Sequence, residues 1–362
     1  SLSSSFSSGS GALSIISISQ VKSGNLGINS SSNSLSILIT SIFNNSFSNI
    51  PSCKVDSEEF KEGFERFVRV SCMVKNFKGM RIGQVGTRPA PFYSVIYNEG
   101  ELLEKFGIRL AMFEQRMKEA PERYPEEIAK FSEYFRSNFK MDDLTPPYVE
   151  GLATMAVVYK NIFEEFDLDL MAAECWTETP IMFNGLAPCA VFGMLNDLGY
   201  MISCESDIHC AMTMAVLKAA TLGKGVPVFG EFTVRHPENK NAELLWHCGQ
   251  FPLSQKAADC EARIVNQREW FRGKDGTYTA ARIDQESGNY MMLPLICKTT
   301  DGPATNGTYI WAEFEDLQKV EDRVMQGPYI HHFIEIEGDY RKELDEFCKY
   351  IPHLSIDRAL EK

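Results

Sequence analysis

The arrangement of apolar segments changes at one point in the chain, and this change limits the folds that the chain can adopt. Before that point, short apolar runs such as MRIGQVG alternate with longer amphipathic stretches such as EGELLEKFG. This alternation is typical of a parallel sheet covered by helices. After Pro227 the runs become short, often alternating and rich in Thr, Tyr and Val, with turn signals such as KDG and TNG between them. These later runs predict a β-rich, barrel-like domain.

The sequence therefore predicts an α/β protein, in which a parallel, Rossmann-like sheet with helices on both faces precedes a β-rich, barrel-like domain. We place the α/β domain at residues 53–224. The β-rich domain, with a terminal helix, is placed at residues 225–362. A chain of 362 residues is long enough for two domains, because single hydrophobic cores stop growing at roughly 250 to 300 residues.

Residues 1–52 differ from the rest of the chain in composition. The first fifty residues contain nineteen serines and a single charged residue, Lys22. Such a segment buries too little apolar surface to offset its ordering entropy, so we expect it to be disordered. It also lacks the charged start and compact apolar stretch of a signal peptide. We therefore expect this segment to be foreign to the fold.

The charge and the cysteines of the chain bear on its partners and location. The formal net charge is −13 and the pI is near 5.1, whereas nucleic acids and anionic membranes bind positively charged surfaces. No apolar run reaches the roughly 18 residues of a membrane-spanning helix. Ten cysteines occur without a CxxC pair, a pattern that indicates reduced thiols in the cytoplasm. We expect a small molecule and further copies of the chain as partners, rather than nucleic acid or membrane.

Candidate metal ligands occur at similar places in several predicted elements. The segment YMISCESD predicts a strand, and Glu205 lies at its carboxyl end, where open α/β sheets place their ligand sites. Glu231 and His247 lie in the apolar segments VFGEF and LLWHCG, and His331 and His332 lie in YIHHF. Each residue alone has a simpler explanation as a helix cap, an exposed strand residue or a hydrogen-bonded core histidine.

The apolar surroundings of these residues favour a shared ion. An unpaired carboxylate or imidazole is costly in such segments, and one divalent ion would account for both. Two carboxylates with two imidazoles suit an ion with open coordination positions, such as Mn²⁺ or another divalent cation, better than a closed zinc site. We interpret the nearby Cys204, Cys210 and Cys248 as packing residues, and we assign no role to His209.

At these residues the chain resembles the L-fucose isomerase and L-arabinose isomerase superfamily, over roughly residues 75 to 352. The stretch from CESDIHC to VFGEFTV is similar to the family's segment between its two metal carboxylates. LLWHCGQFP is similar to its metal-histidine segment, and GPYIHHFIEIEGDY to its C-terminal histidine segment. The resemblance implies that a divalent metal is bound by Glu205, Glu231, His247 and His332. It implies a substrate contact for His331, although one sequence leaves the order of the two histidines open.

The resemblance also implies a reaction, the isomerisation of an aldose to a ketose through an enediol or enediolate intermediate. Glu205 and Glu231 are implied to exchange the proton between the two reacting carbons as well as to bind metal, and Asp207 to orient a ligand. Trp176 and Trp246 are candidates for apolar walls against the sugar, with a plain core position as the alternative. The sequence does not identify the sugar.

The family has three domains and assembles as a homo-hexamer, in which the first domain helps to build a neighbouring subunit's site. Residues 1–52 show no counterpart of that domain, so two alternatives stay open. One is a truncated, non-catalytic relative that binds sugar or only assembles. The other is a different metal-assisted carbohydrate enzyme, such as an aldolase or a hydrolase. The four-ligand set favours catalysis, whereas the missing domain favours the non-catalytic alternative.

Overall fold

The computed structural model describes residues 32–46, 54–112, 123–141 and 145–360. The chain forms two compact units, Ser1–Val68 and Arg69–Lys362. All the candidate site residues named above lie in the second unit, which also contains every strand of the described residues.

The described part of the first unit is helical. Helix α1 spans Ser32–Ser46, and helix α2, which begins in this unit, spans Glu58–Phe77. Helix α1 lies within the segment for which we predicted disorder, and residues 1–31 and 47–52 of that segment lie outside the described residues. The sequence SNSLSILITSIFNNS places apolar residues three and four apart, a helical spacing that the prediction from composition did not use.

A parallel sheet forms the first part of the second unit. Its strands are β1 (Arg81–Val85), β2 (Arg109–Met112), β3 (Leu170–Ala173) and β4 (Ile202–Ser203), in the order β2-β1-β3-β4. Ile82 pairs with Leu110 on one side and with Leu170 on the other. Strand β3 is buried throughout, and β1 is buried except at its first residue. Continuous burial is expected of a parallel sheet whose two faces are covered by helices.

Helices connect the strands of this part. They are α3 (Glu99–Phe106), α4 (Pro125–Asn138), α5 (Pro146–Phe166), α6 (Glu178–Met182), α7 (Cys189–Asp197) and α8 (Ile208–Ala220). Helix α3 starts where Asn98 accepts a hydrogen bond from the Glu101 amide at 3.1 Å. It ends at Gly107, which has a φ of 71°. An asparagine cap and a left-handed glycine are common at the two ends of a helix.

A closed barrel follows the parallel sheet. The remaining strands are β5 (Val228–Arg235), β6 (Ala242–His247), β7 (Arg263–Val265), β8 (Arg268–Arg272), β9 (Thr277–Glu286), β10 (Asn289–Thr299), β11 (Thr308–Glu313), β12 (His332–Glu337) and β13 (Leu354–Ile356). Six of them pair antiparallel in the cyclic order β5-β6-β11-β10-β9-β12. Closure removes the exposed strand edges that an open sheet would carry. The predicted fold class, a parallel α/β sheet followed by a barrel-like part, is confirmed.

Further elements surround the barrel. Strands β7 and β8 form a hairpin beside β11, and β13 pairs with β10. Helices α9 (Leu317–Gln326) and α10 (Arg341–Cys348) lie in the same part of the chain. The boundary predicted between residues 224 and 225 falls between α8 and β5. Among the described residues, none of the helices has the length and apolar character needed to cross a membrane.

One predicted strand is wrong in its extent. The segment YMISCESD was expected to be a single strand, but β4 contains only Ile202 and Ser203. The next three residues form a 3-10 turn, in which Glu205 and Ser206 have φ values of 58° and 56°. Apolar patterning reports burial and does not detect a reversal of the backbone, so the turn was missed.

Candidate functional site

Glu205 lies on a strained turn at the carboxyl end of the parallel sheet. Its positive φ is uncommon for a residue with a side chain and costs on the order of 1 to 3 kcal/mol. The side chain is buried, and its Oε1 accepts a hydrogen bond from Nε1 of Trp176 at 3.0 Å. The turn follows directly on β4, so it lies at the sheet edge where open α/β proteins bind ligands.

Three barrel strands bring the other candidate ligands to the same place. Glu231 lies in the middle of β5, His247 ends β6 and His332 begins β12. His332 and Glu231 are directly paired across the antiparallel strands β12 and β5, so their side chains share one face of the barrel wall.

The four side chains approach one another closely. Nε2 of His332 lies 3.1 Å from Oε2 of Glu205 and 3.6 Å from Oε1 of Glu231. Nε2 of His247 lies 3.5 Å from the same Glu231 oxygen. Ligand atoms of Glu205, Glu231 and His247 lie within 4.8 Å of one another, as do those of Glu231, His331 and His332. Glu231 is common to both groups.

The atoms that face one another here are buried and without hydrogen bonds. Oε2 of Glu205, Nε2 of His247 and Nε2 of His332 have no hydrogen-bond partner, although each residue is at most 2% exposed. Each such atom costs about 1 to 3 kcal/mol when it remains unsatisfied. A bound divalent cation would satisfy all three at once, and one carboxylate oxygen with two imidazole nitrogens is a donor set that such ions accept. The residues present therefore fit a metal.

Asp207 orients the ring of His332. Its Oδ2 lies 3.0 Å from Nδ1 of His332, which leaves Nε2 of the ring facing the two glutamates. Oδ2 also accepts a hydrogen bond from Nη1 of Arg282 at 2.8 Å. Burial alone would raise the pKa of Asp207, but Arg282 and His332 hold that pKa well below its usual range. Asp207 is therefore an anion that fixes the imidazole, an arrangement common behind metal-binding histidines.

Sequence reasoning missed the residues that support Asp207. Arg282 is fully buried in β9 and also donates from Nε to Oδ2 of Asp284 at 2.7 Å. Asp284 in turn lies 3.3 Å from Nδ1 of His209, a residue to which the sequence assigned no role. The sequence did contain a signal for this pair. Arg282 and Asp284 lie in RID, at the end of the segment TYTAARID, and an arginine buried in a strand requires carboxylate partners.

The environments of the ionisable groups differ across the site. Burial raises the pKa of Glu231. Burial also acts on Glu205, but the neighbouring His332 and His247 lower its pKa below the usual range. His331, which is more exposed than His332, has a pKa lowered to about 4 by burial and by His332. His331 is thus a neutral ring at the mouth of the site, whereas His332 is enclosed.

A cavity of about 910 Å³ opens over these groups. Glu205, Glu231, His331, Trp176 and Trp246 contribute to its lining. Its size lies within the range of small-molecule sites.

The two tryptophans of the cavity have different surroundings. Trp176 is 50% exposed, which excludes the core position considered for it, and its ring packs edge-on against Phe92 at 4.7 Å. Trp246 is partly buried, and its Nε1 donates to the Asn306 carbonyl at 2.6 Å. Trp246 also packs against a buried cluster that contains Leu244. Both rings present apolar surface to the cavity, but only Trp176 bonds to a candidate ligand.

Comparison with known proteins finds sugar isomerases among the relatives of this chain. No protein-family model matches the chain. Among curated proteins, the sulfoquinovose isomerase of Alkalicoccus urumqiensis is 27% identical over 308 residues, which cover 80% of this chain and 68% of that protein. The sulfoquinovose isomerase of Priestia megaterium is 26% identical over 316 residues, covering 82% and 68%. That of Clostridium sp. is 24% identical over 293 residues, covering 77% and 64%. The chain is therefore a homologue of sugar isomerases, and the predicted enzyme class, an isomerase, is confirmed.

Proposed function

We propose that the chain, as a member of the L-fucose and L-arabinose isomerase superfamily, interconverts an aldose and a ketose through an enediolate. The observation that carries this proposal is the convergence of two carboxylates and two imidazoles, in which Oε2 of Glu205 and Nε2 of His247 and His332 are buried without a hydrogen-bond partner. Such a set suits sugar isomerisation, because a proton must leave a carbon next to a carbonyl group while the oxygens of the sugar are held in place.

The proposed cofactor is Mn²⁺ or another divalent cation. Glu205, Glu231, His247 and His332 would hold it, with Asp207 fixing the ring of His332. When bound, the ion supplies Lewis-acid stabilisation of the negative charge that develops on the sugar oxygens. The donor set of oxygen and imidazole nitrogen suits such an ion.

The protein's own groups carry the proton. The carboxylates of Glu205 and Glu231 are proposed to act as the acid and base pair. One removes the proton from C2 of the aldose and the other delivers a proton to C1, while the proton of the C2 hydroxyl moves to the carbonyl oxygen of C1. Their environments push their pKa values in opposite directions, as is common for such pairs. Trp176 holds Oε1 of Glu205 by a hydrogen bond, and the cavity walls limit access of water.

The curated relatives carry the name of one sugar, sulfoquinovose. We propose sulfoquinovose as the first substrate to test, followed by unsubstituted aldohexoses, deoxyhexoses and pentoses. Assembly into a homo-oligomer and a cytoplasmic location are retained as parts of the proposal.

The proposal is tested by NMR in D₂O with the purified protein, Mn²⁺ and each sugar in turn. We expect ketose to appear and deuterium to enter C2 of the recovered aldose. Glu205→Gln and Glu231→Gln should each lower the rate by about 10²- to 10⁴-fold, the usual contribution of an acid or base, while circular dichroism stays unchanged. The control is Glu238→Gln, an exposed glutamate in the loop between β5 and β6.

The outcomes separate the proposed reaction from its alternatives. Carbon–carbon cleavage products would indicate an aldolase, and hydrolysis would leave the C2 hydrogen in place. Near-normal turnover in either glutamine variant would contradict the acid and base assignment. Binding of the sugars without any exchange or product would favour a non-catalytic relative.

A further inference from the structure

A tight hairpin between β7 and β8 forms one wall of the cavity. Val265 pairs with Arg268, so the loop consists of Asn266 and Gln267 alone. Both loop residues have positive φ, 48° and 68°. Two such residues in succession are typical of a type I′ turn, whose twist matches that of the flanking strands. The hairpin therefore fixes the position at which the backbone of Arg268 enters the cavity wall.

The hairpin is also attached to the α/β part of the unit. Oε1 of Gln267 accepts a hydrogen bond from the Ala187 amide at 3.0 Å. Along β8, Arg268 and Trp270 line the cavity, whereas Glu269 between them is buried on the other face. This alternation is the ordinary two-residue period of a strand. Arg268 is thus presented to the cavity by a regular and anchored element.

Arg268 has no acidic partner among the residues that the structure describes. Its guanidinium interacts with the thiols of Cys248 and Cys189, and Cys248 is the neighbour that most strongly favours its charged form. Other arginines of this part of the chain form ion pairs with aspartate or glutamate: Arg235, Arg272, Arg282, Arg323, Arg341 and Arg358. A guanidinium that lines a cavity and forms no ion pair with a carboxylate keeps N–H donors for an anion.

The charges around the cavity make this arginine important for selectivity. Among the described residues that line the cavity, Arg268 is the single lysine or arginine, and Glu205 and Glu231 are the carboxylates. The chain as a whole carries a net charge of −13, so an anionic small molecule is repelled at long range. A positive side chain inside the cavity is the feature that offsets this repulsion.

We propose that Arg268 binds a tetrahedral oxyanion at the end of the sugar remote from the reacting carbons, and that this anion is a sulfonate. The inference rests on the proposed isomerase function, in which the carbonyl end of the sugar lies at Glu205 and Glu231. A guanidinium offers two parallel N–H donors to two oxygens of such a group. Arg268 is then a specificity residue of the same cavity, and it selects charged over neutral sugars.

The test is calorimetric titration of the full chain, supplemented with Mn²⁺, with three ligands. These are sulfoquinovose, glucose 6-phosphate and the uncharged 6-deoxyglucose. We expect wild-type protein to bind sulfoquinovose about 10- to 100-fold more tightly than 6-deoxyglucose, the usual effect of a charge-assisted contact. Arg268→Gln should lose this preference, Arg268→Lys should keep part of it, and added salt should reduce it in wild type. The matched control is Arg81→Gln, which alters an exposed arginine at the other end of the parallel sheet.

Each outcome bears on the inference separately from the isomerase function. Equal binding of charged and neutral sugars by wild type, no measurable binding of any of the three, or an unchanged preference in Arg268→Gln overturns it. A preference for glucose 6-phosphate over sulfoquinovose overturns the sulfonate and identifies a phosphate instead. A preference for charged sugars that depends on Arg268, without turnover of any sugar, would support the anion site and contradict the isomerase function. Turnover of neutral sugars without a preference for charged sugars would support the isomerase function and overturn the anion site at Arg268.

Discussion

His332 and Asp207 are joined by a 3.0 Å contact between Nδ1 and Oδ2, and this contact directs the other ring nitrogen toward Glu205 and Glu231. The anion is itself held by Arg282, which is fully buried. A chain of buried charges therefore fixes the direction of one imidazole in a site built from two sheets.

Replacement of this anion tests whether it supports metal binding. Asp207→Asn removes the charge that orients the ring of His332, so we expect Mn²⁺ affinity to fall about 10- to 100-fold, as for other residues that hold a ligand in place. Isothermal calorimetry measures the affinity, and thermal unfolding checks that the variant, in which Arg282 keeps its ion pair with Asp284, still folds. Asp301→Asn, at an exposed position, is the control. A folded Asp207→Asn protein with wild-type affinity would contradict this role.

The imidazoles are tested by metal content. Elemental analysis of the wild-type protein after dialysis against Mn²⁺ should find about one ion per chain, as expected for one group of converging ligands. His247→Ala and His332→Ala should each lose most of it, because each removes a buried nitrogen that lacks a protein partner. His353→Asn, at an exposed position with positive φ that asparagine tolerates, should retain the ion. Metal-free wild-type protein would reject the site.

The two tryptophans of the cavity should differ in their kinetic effects. Trp176→Phe keeps an aromatic wall but removes the hydrogen bond to Glu205, so kcat should fall about 10- to 100-fold. Trp246→Phe removes a bond to a backbone carbonyl, so we expect a change in KM with kcat nearly retained. Steady-state kinetics on the sugar that is turned over separates the two. Equal effects of the two substitutions on kcat would argue against a role for the indole of Trp176.

Glu243 should make the stability of the barrel depend on pH. Burial, followed by the neighbouring Glu321, raises the pKa of Glu243 from 4.5 to about 7. The folded chain keeps the proton up to about pH 7, whereas the unfolded chain releases it near pH 4.5. The folded state thus binds more protons in this window, and stability falls as pH rises through it.

The Glu243→Gln variant carries no ionisable group at this position, so its stability should not fall in this pH range for this reason. Relative to wild type, its free energy of unfolding should rise between about pH 4.5 and 7, by on the order of 1 to 3 kcal/mol. Urea unfolding at pH 4.5, 6 and 8 measures the difference, with Glu238→Gln as a solvent-exposed control. A constant difference between Glu243→Gln and wild type across this range would show that Glu243 ionises normally.

Local signals made much of the fold predictable. Alternating apolar and amphipathic segments indicated the parallel sheet, and the change after Pro227 indicated the barrel. The amphipathic stretch EGELLEKFG indicated helix α3. These features act over a few residues, so a single sequence contains the information.

The sequence by itself determined which side chains were candidates for the site, because Glu205, Glu231, His247 and His332 are polar residues in apolar surroundings. Only the tertiary structure decided what surrounds them. The structure alone showed the reversal of the backbone at Glu205. The buried pair of Arg282 and Asp207 and the interaction of Arg268 with Cys248 join residues that are distant in the chain. Their geometry depends on closure of the barrel against the sheet, a non-local packing arrangement that no local spacing of residues specifies.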